Sequence, residues 1–377
     1  MNNERELFFK LMKRTAKPVL PWIMSFFNEK TAEKLLGYEN VPRDCIPGLS
    51  YNAGGSDKDD WEKKVNYSHA CGNFAAGVGW GTCIYFGHGG PGEFRERLIE
   101  TGENLRRSEF ETGTKKEVRY NPHFYHHYDF PAKGPGDLAN LRLPDPNDPS
   151  RYEGIAEETA FYRGKGCIVY GNVNGFFSGL HYFLYPYDML LADLLLEPEF
   201  IMEMLNKVGE FNLAAAENLL KCGVDMITFC DDLGSGTSML ISPGLYRRFF
   251  FPWHKKLADL CHSYGAYLHM HSHGNINKIM DDIYESGVDI LNPCDPNDGM
   301  DLPLLKRKYG DRIIFAGGIS KFFFDWNFAR QKDYIYNLVK EAGGGFILMD
   351  SGGIPEYVTP EGFSRIRELF EEIKTAY

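Results

Sequence analysis

Three histidines at alternate positions, His269, His271 and His273, lie in the run Tyr267-Leu-His-Met-His-Ser-His-Gly-Asn275. On an extended strand, residues i, i+2 and i+4 point to one face. The three imidazoles would then share a face, with His271 and His273 nearest the strand's C-terminal end. Neutral imidazoles are good zinc ligands, and they exchange protons near neutral pH. The competing account is one buried, hydrogen-bonded histidine beside a solvated one. A second cluster is Thr228-Phe-Cys-Asp-Asp-Leu-Gly234. Asp231 and Asp232 are adjacent and so point to different sides. One can face a cavity while the other caps a helix or holds a loop, and either can serve acid–base chemistry. The run Phe346-Ile-Leu-Met-Asp-Ser-Gly-Gly-Ile-Pro-Glu356 offers Asp350 and Glu356, with glycines that permit a tight turn. Asn292, Cys294 and Asp295 close another short apolar run. A lone cysteine such as Cys294 is more often buried and inert than reactive.

Other features carry less. Gly317-Gly318 and the GHGGPG run at 87–92 match no phosphate-loop pattern. His126 and His127 are neighbours on a predicted hairpin and cannot face one side. No GxSxG nucleophile occurs.

These residues need elements that bring them together. From Cys167 onward the chain alternates short apolar segments with amphipathic ones. Strands are predicted at 167–173, 225–230, 267–273, 288–292, 313–316 and 345–350. Helices are predicted from about 187, at 198–220, as one helix over 243–264, and at 277–286, 303–309, 333–342 and 360–377. Repeated βα units of this kind predict an α/β fold, a single (β/α)8 TIM barrel. Catalytic groups then belong at the C-terminal ends of the strands. The first half is less regular. A first strand is predicted at 19–25, a glycine-rich apolar segment at 75–86, hairpin strands at 116–130 and a proline-rich loop at 143–151. One domain, 1–377, is expected, with an N-terminal insertion at roughly 86–152 over the barrel mouth.

The 377 residues carry a net charge of −11, which argues against nucleic acid or an anionic membrane as partner. No apolar run approaches the roughly 20 residues that span a bilayer, and the charged N-terminus is unlike a secretory signal. The 8 cysteines contain no CxxC pair, as expected of a reducing cytoplasm. Aromatic residues make up 15%. They serve a core, and they equally suit a site for a flat, apolar ligand.

The block CGVDMITFCDDLGSGTSMLISPGLYRRFFFPWHKKLADLCHSYGAYLHMHSHGN resembles the central block of the uroporphyrinogen decarboxylase superfamily. There an acidic turn is followed by an SPxxY segment and an HxCGN-like strand. GVDILNPCDPNDGMDLPLLKRKYGDRIIFAGGIS and LPDPNDPSRYEGI match it too, so the likeness covers about the last two-thirds of the chain. The departures are informative. Decarboxylases of the family carry an N-terminal RQAGR run and a histidine in a GHGI-like turn. Here no RQAGR lies near Pro18–Met24, and Gly352 stands at the turn position. The family's zinc enzymes that activate a thiol use His-x-Cys with a later cysteine. Here the pair is His271-Ser272-His273, and Gly352 again replaces the last ligand.

The resemblance therefore implies a corrinoid-dependent methyltransferase. It would take a methyl group from a small methylated donor, an aryl methyl ether by preference, and pass it to the Co(I) of a separate corrinoid protein. The chain has no DxHxxG segment to bind the corrinoid (cobalamin) itself. The alternatives are a zinc methylcobalamin:thiol or pterin methyltransferase, a uroporphyrinogen-type decarboxylase, and a non-catalytic barrel that binds a corrinoid protein. The expected catalytic residues are His271, His273, Asp231, Asp232, Glu356 and Tyr182, the last from a match to a family active-site tyrosine in GFFSGLHYF. His269, Asn292 and Asp350 are expected to bind substrate. Any zinc would be held by His271 and His273 through nitrogen and oxygen donors, not by Cys230 or Cys294. A homodimer is the oligomeric state to be tested.

Overall fold

The computed structural model describes residues 4–22, 29–37, 58–79, 90–102, 104–120 and 123–376. In chain order the elements are α1 (Glu4–Met12), β1 (Val19–Trp22), α2 (Glu29–Leu36), α3 (Lys58–Cys71) and β2 (Ala75–Gly77). Next come β3 (Glu96–Gly102), β4 (Leu105–Phe110), β5 (Lys115–Tyr120) and β6 (His123–Tyr128). The repeating part follows with α4 (Ile155–Gly164), β7 (Ile168–Asn172), α5 (Phe177–Phe183), α6 (Tyr187–Leu196), α7 (Pro198–Lys221) and β8 (Met226–Cys230). Then come α8 (Pro243–Phe249), α9 (Phe251–Ser263), β9 (Tyr267–His271), α10 (Met280–Ser286), β10 (Ile290–Asn292) and α11 (Leu302–Tyr309). The chain closes with β11 (Ile314–Gly318), α12 (Phe328–Ala342), β12 (Phe346–Met349) and α13 (Pro360–Ala376).

Eight parallel strands pair in the order β1-β12-β11-β10-β9-β8-β7-β2 and curl into an α/β barrel of the TIM type. Among the described residues the hydrogen-bonded ladder ends at β1 and β2. A separate antiparallel sheet, β3-β4-β5-β6, lies between β2 and α4, inside the segment expected to be an insertion. Of its strands the sequence pattern indicated β5 and β6. The glycine-rich segment expected at 75–86 supplies β2, and residues 80–86 lie outside the described ones.

The barrel strands are buried on both faces, as their near-continuous apolar character demands. The outer faces pack on the helices in one large core that includes Leu219, Ile227, Phe229, Leu268 and Phe315. The inner faces meet in a second core with Leu20, Ile168, Tyr170, Met226, Ile290, Ile314, Ala316, Ile347 and Met349. Helix α1 closes the N-terminal end of the barrel. Its Phe8, Leu11 and Met12 join the interior cluster, and Phe8 packs 5.4 Å from the Phe74 ring and 5.8 Å from that of Tyr267. Arg5 pins this helix through a 2.8 Å bond to Asp225, which also holds Arg163 and the Val169 N–H. No described helix is long and apolar enough to cross a membrane.

Local chemistry sets the boundaries. The single helix expected over 243–264 is two. Ser242 caps α8 by accepting from Leu245 N–H, and Pro252, which lacks an N–H, stands in the first turn of α9. The strand expected to reach His273 stops at His271. Beyond it Gly274 takes φ +82° and lies against Gly234, where a Cβ would sit 2.6 Å from Asn275 N. Only glycine permits that backbone contact.

Phe8→Ala should remove a wholly buried ring from the floor of the barrel. The expected loss is about 3–5 kcal/mol, read as a lower urea midpoint at unchanged slope. A variant as stable as the parent would show that α1 does not close the core.

Candidate functional site

Parallel pairing sets the row of groups at the barrel mouth. Cys230 pairs with His271, and His271 with Asn292, so three adjacent strands present them side by side. Side chains at one register level on neighbouring strands share a face. One level down, Thr228 and His269 pair in the same way.

His271 Nδ1 lies 3.1 Å from Asn292 Oδ1. The Asn292 amide N–H points to Met349 Sδ at 3.4 Å, so Oδ1 is the acceptor and Nδ1 carries the proton. Nε2 of His271 then faces Asp232 Oδ1 at 3.7 Å. That oxygen also accepts the His273 N–H at 2.8 Å and lies 3.8 Å from the Cys230 thiol. His273 is half-buried, with its ring 4.6 Å from that of His271. The expected pair therefore meets, although His273 has left the strand.

The two aspartates divide as adjacent residues must. Asp232 faces the cavity. Asp231 is fully buried and faces the helices. Its Oδ1 accepts the N–H groups of Phe177 and Ser178 at 2.8 and 2.9 Å, and its Oδ2 meets His254 Nε2 at 2.8 Å. His254 Nδ1 in turn lies 3.0 Å from the Tyr246 hydroxyl. The expected Asp231 thus lies off the cavity, with both oxygens holding the first turn of α5 and a buried histidine. Gly175 makes room for this, since a Cβ there would collide with the Cys230 carbonyl and Asp231 Oδ1.

Three further expectations change. His269 is fully buried below the row, with Nδ1 2.9 Å from the Thr228 hydroxyl. Burial, with the neighbouring His271, pulls its pKa far below the ordinary imidazole value. It is held neutral in the interior, one level below the row at the mouth. Asp350 is also buried, and Oδ2 accepts the Gly353 N–H at 2.8 Å, closing the turn after β12. Glu356 is exposed on the outer side of that turn, because Ile354 is drawn into a buried cluster with Tyr67 and Phe363. Its carbonyl accepts Lys34 Nζ at 2.9 Å. Asn292 is buried and acts on His271. Cys294 is buried with its thiol pKa pushed up by burial, in line with an inert cysteine.

Tyr182 lies on α5 beside the mouth. Burial raises its pKa, reinforced by Tyr125, Cys230 and Asp232, so it remains a neutral O–H donor. Tyr125 hydrogen-bonds it from β6, and His127 of the same strand lies 5.1 Å ring to ring. Along β6, His126 instead stacks with Phe124 and Tyr128 on the opposite face. The antiparallel sheet thus reaches over the mouth through one face of its edge strand.

Several site residues were not singled out from the sequence. Cys230 precedes the aspartate pair, but its facing His271 depends on strand pairing. Burial, then Asp232, Asp231 and Glu93, push its thiol pKa well up. Glu93, buried, brings a third carboxylate toward it from the glycine-rich run. The His181 ring lies tilted 4.2 Å from the Tyr182 ring and edge-on 5.0 Å from that of Tyr187. Burial pushes its pKa down to about 4, against the pull of Asp232. Its place beside Tyr182 in the sequence was the available signal.

Comparison with known proteins agrees with this architecture. The family model described as uroporphyrinogen decarboxylase (URO-D) matches residues 117–373. A solved methyltransferase from Methanosarcina mazei superposes with a TM-score of 0.67 at 16% identity, covering 98% of each chain. A B12-independent methionine synthase from Shewanella sp. W3-18-1 aligns over 95% of this chain and 98% of its own, at 11% identity and a TM-score of 0.44. Among curated proteins no sequence matches.

Asp231→Ala should cost about 3–5 kcal/mol, as it strands a buried histidine and two helix N–H groups. Asp232→Ala should stay within about 1 kcal/mol of the parent. Equal stability losses in chemical denaturation would overturn this division. His181 gives a pH signature. Between roughly pH 6.5, where a free imidazole titrates, and about 4 in the folded chain, the unfolded state binds the extra proton. Stability is therefore lost as pH falls through that window. His181→Gln should flatten the slope there, and an unchanged slope would show that His181 titrates normally.

Proposed function

Because the chain belongs to the uroporphyrinogen decarboxylase (URO-D) family, we propose that it is a methyltransferase of that family acting on a small methylated donor, an aryl methyl ether by preference. The observation that carries this reading is the corner made by His271, Asp232 and Cys230 beneath Tyr182. It gathers acid–base groups beside aromatic side chains. The shared likeness to a Methanosarcina methyltransferase supports it, as does the absence of the RQAGR run and of the turn histidine, here Gly352.

A phenolate leaves an ether readily only when its oxygen meets a proton or a Lewis acid. In this reading the methyl carbon–oxygen bond breaks, the methyl group passes to reduced cobalt, and the oxygen takes up a proton. The acceptor corrinoid is a co-substrate carried by a separate protein. Asn292 orients the His271 ring so that Nε2 is turned toward Asp232 and the donor oxygen. The neutral Tyr182 hydroxyl donates to that oxygen. His273, half open to solvent, relays the proton. Tyr125, His127 and His181 give planar surface for an arene and exclude water.

Incubated with a reduced corrinoid protein, the enzyme should convert a methoxyphenol such as guaiacol to the catechol, followed by the corrinoid spectrum. The rate should fall as the pH rises above neutrality, since the leaving oxygen needs a proton. His271→Ala and His273→Ala should fold normally and lose most turnover. No methylation from a panel of methoxyphenols and methylamines, with ready methyl donation from a methyl-corrinoid to a thiol or pterin, would favour the zinc thiol reading. Loss of carbon dioxide from uroporphyrinogen at an enzymatic rate would overturn methyl transfer altogether.

A further inference from the structure

The proline-rich run before α4 ends in an arginine whose charge is buried. Asp148 caps the short helical turn Pro149–Arg151 by accepting the Ser150 N–H at 2.9 Å. The Tyr152 hydroxyl donates 2.7 Å to the Pro146 carbonyl, which also accepts from Asn218 of α7 at 3.2 Å. The run is thereby tied to the barrel and presents Arg151, whose side chain is 1% exposed. A guanidinium taken out of water must spend its donors on fixed acceptors. Nε of Arg151 donates to the Asp145 carbonyl at 3.1 Å, and Nη1 to the carbonyls of Pro91 and Glu93 at 3.1 and 3.0 Å. Nη2 donates to Glu111 Oε2 in the turn between β4 and β5. The same carboxylate oxygen accepts the Arg95 N–H at 2.9 Å. The guanidinium also lies 5.4 Å from the centre of the Phe211 ring on α7. One side chain thus joins the barrel to two separate stretches of the insertion.

Both stretches reach the mouth. Residues 91–95 are also held from the barrel side, where Phe94 N–H donates to Asn174 Oδ1 at 3.1 Å and Gly92 pairs with Val173 beyond β7. Between these attachments stands the buried Glu93, whose carboxylate bears on Cys230. In the sheet, the Thr114 hydroxyl donates to the Phe183 carbonyl at 2.6 Å. Phe110 meets the Phe183 ring at 4.8 Å and the His127 ring at 6.0 Å. Phe94 sits 5.3 Å from Phe183 and 4.7 Å from Phe211. We propose that Arg151 is a positioning residue: it docks the antiparallel sheet and the 91–95 segment on the barrel, and so sets where Glu93, Tyr125 and His127 stand. Lysine cannot substitute. An ammonium keeps the charge but gathers its donors on one nitrogen, whereas the rigid guanidinium fork reaches four acceptors here. Docking of the insertion is independent of the reaction; only its effect on turnover rests on the methyltransferase reading.

The full-length protein and its variants are compared by amide hydrogen exchange, without methyl donor or corrinoid protein. In Arg151→Lys the amides of β4, β5 and β6 should exchange roughly tenfold faster, as a local opening. Those of β8, β9 and β10 should keep the parent's rates. Glu111→Gln and Thr114→Val touch the same docking surface and leave the buried cation in place. They should speed the same sheet amides by less. Arg97→Lys, at a side chain 71% exposed, should change nothing. With guaiacol and a reduced corrinoid protein, Arg151→Lys should raise KM roughly fivefold and leave kcat within about twofold, the split expected when binding surface is displaced and the reacting row is not. Unchanged sheet exchange in Arg151→Lys, or in both milder variants should that one not fold, would overturn the assignment. So would faster exchange spread evenly over sheet and barrel, or a fall in kcat at unchanged KM. A sheet that loosens in a protein whose parent does not turn over guaiacol would keep Arg151 in this role and sink the methyltransferase reading alone.

Discussion

The lateral pairing of β8, β9 and β10 is the constraint on which the mouth of this barrel depends. Parallel hydrogen bonding puts Cys230 beside His271 and His271 beside Asn292, and strict alternation turns all three inward. A slip of one residue in any of the three strands would send its member of the row into the helical layer. The buried Asp231 protects against such a slip. Its carboxylate binds the first turn of α5 and His254 of α9, so the residue after Cys230 is held outward and Asp232 is left to face the cavity. The same clamp places Tyr182, five residues beyond the capped Phe177.

Much of the scaffold was legible from hydrophobic alternation, because strands buried on both faces and amphipathic helices leave strong periodic signals. The barrel, its second-half strands and the presence of an inserted segment follow from those signals. Their ends were less legible. Capping by Ser242, the position of Pro252 and the Gly234–Gly274 contact decide where elements stop, and the last of these joins residues forty positions apart. The candidate site was legible in part for the same reason. Spacing alone brought His271 and His273 together and split the aspartate pair, but it could not say which aspartate faced inward. Whether Cys230 opposes His271, whether His269 lies a level too deep, and whether Asp350 is absorbed by its own turn all depend on pairing between strands.

The buried polar groups around the mouth show a consistent electrostatic design. His269 and His181 are held neutral by burial, and the phenol of Tyr182 and the thiol of Cys230 are held protonated. Carboxylates of Asp231, Asp232 and Glu93 all bear on Cys230. Among the described residues, these carboxylates share the mouth with neutral imidazole, phenol and thiol groups.

Among the described residues, the backbone of the edge strand β6 pairs with β5 alone, and its alternate residues Tyr125 and His127 lie toward Tyr182. Tyr125 and His127 can thus be exchanged without disturbing the sheet's hydrogen bonds or the row on β8, β9 and β10. The two faces of one edge strand therefore meet different surroundings: Tyr125 and His127 lie toward Tyr182, and His126 stacks with Phe124 and Tyr128 on the other side.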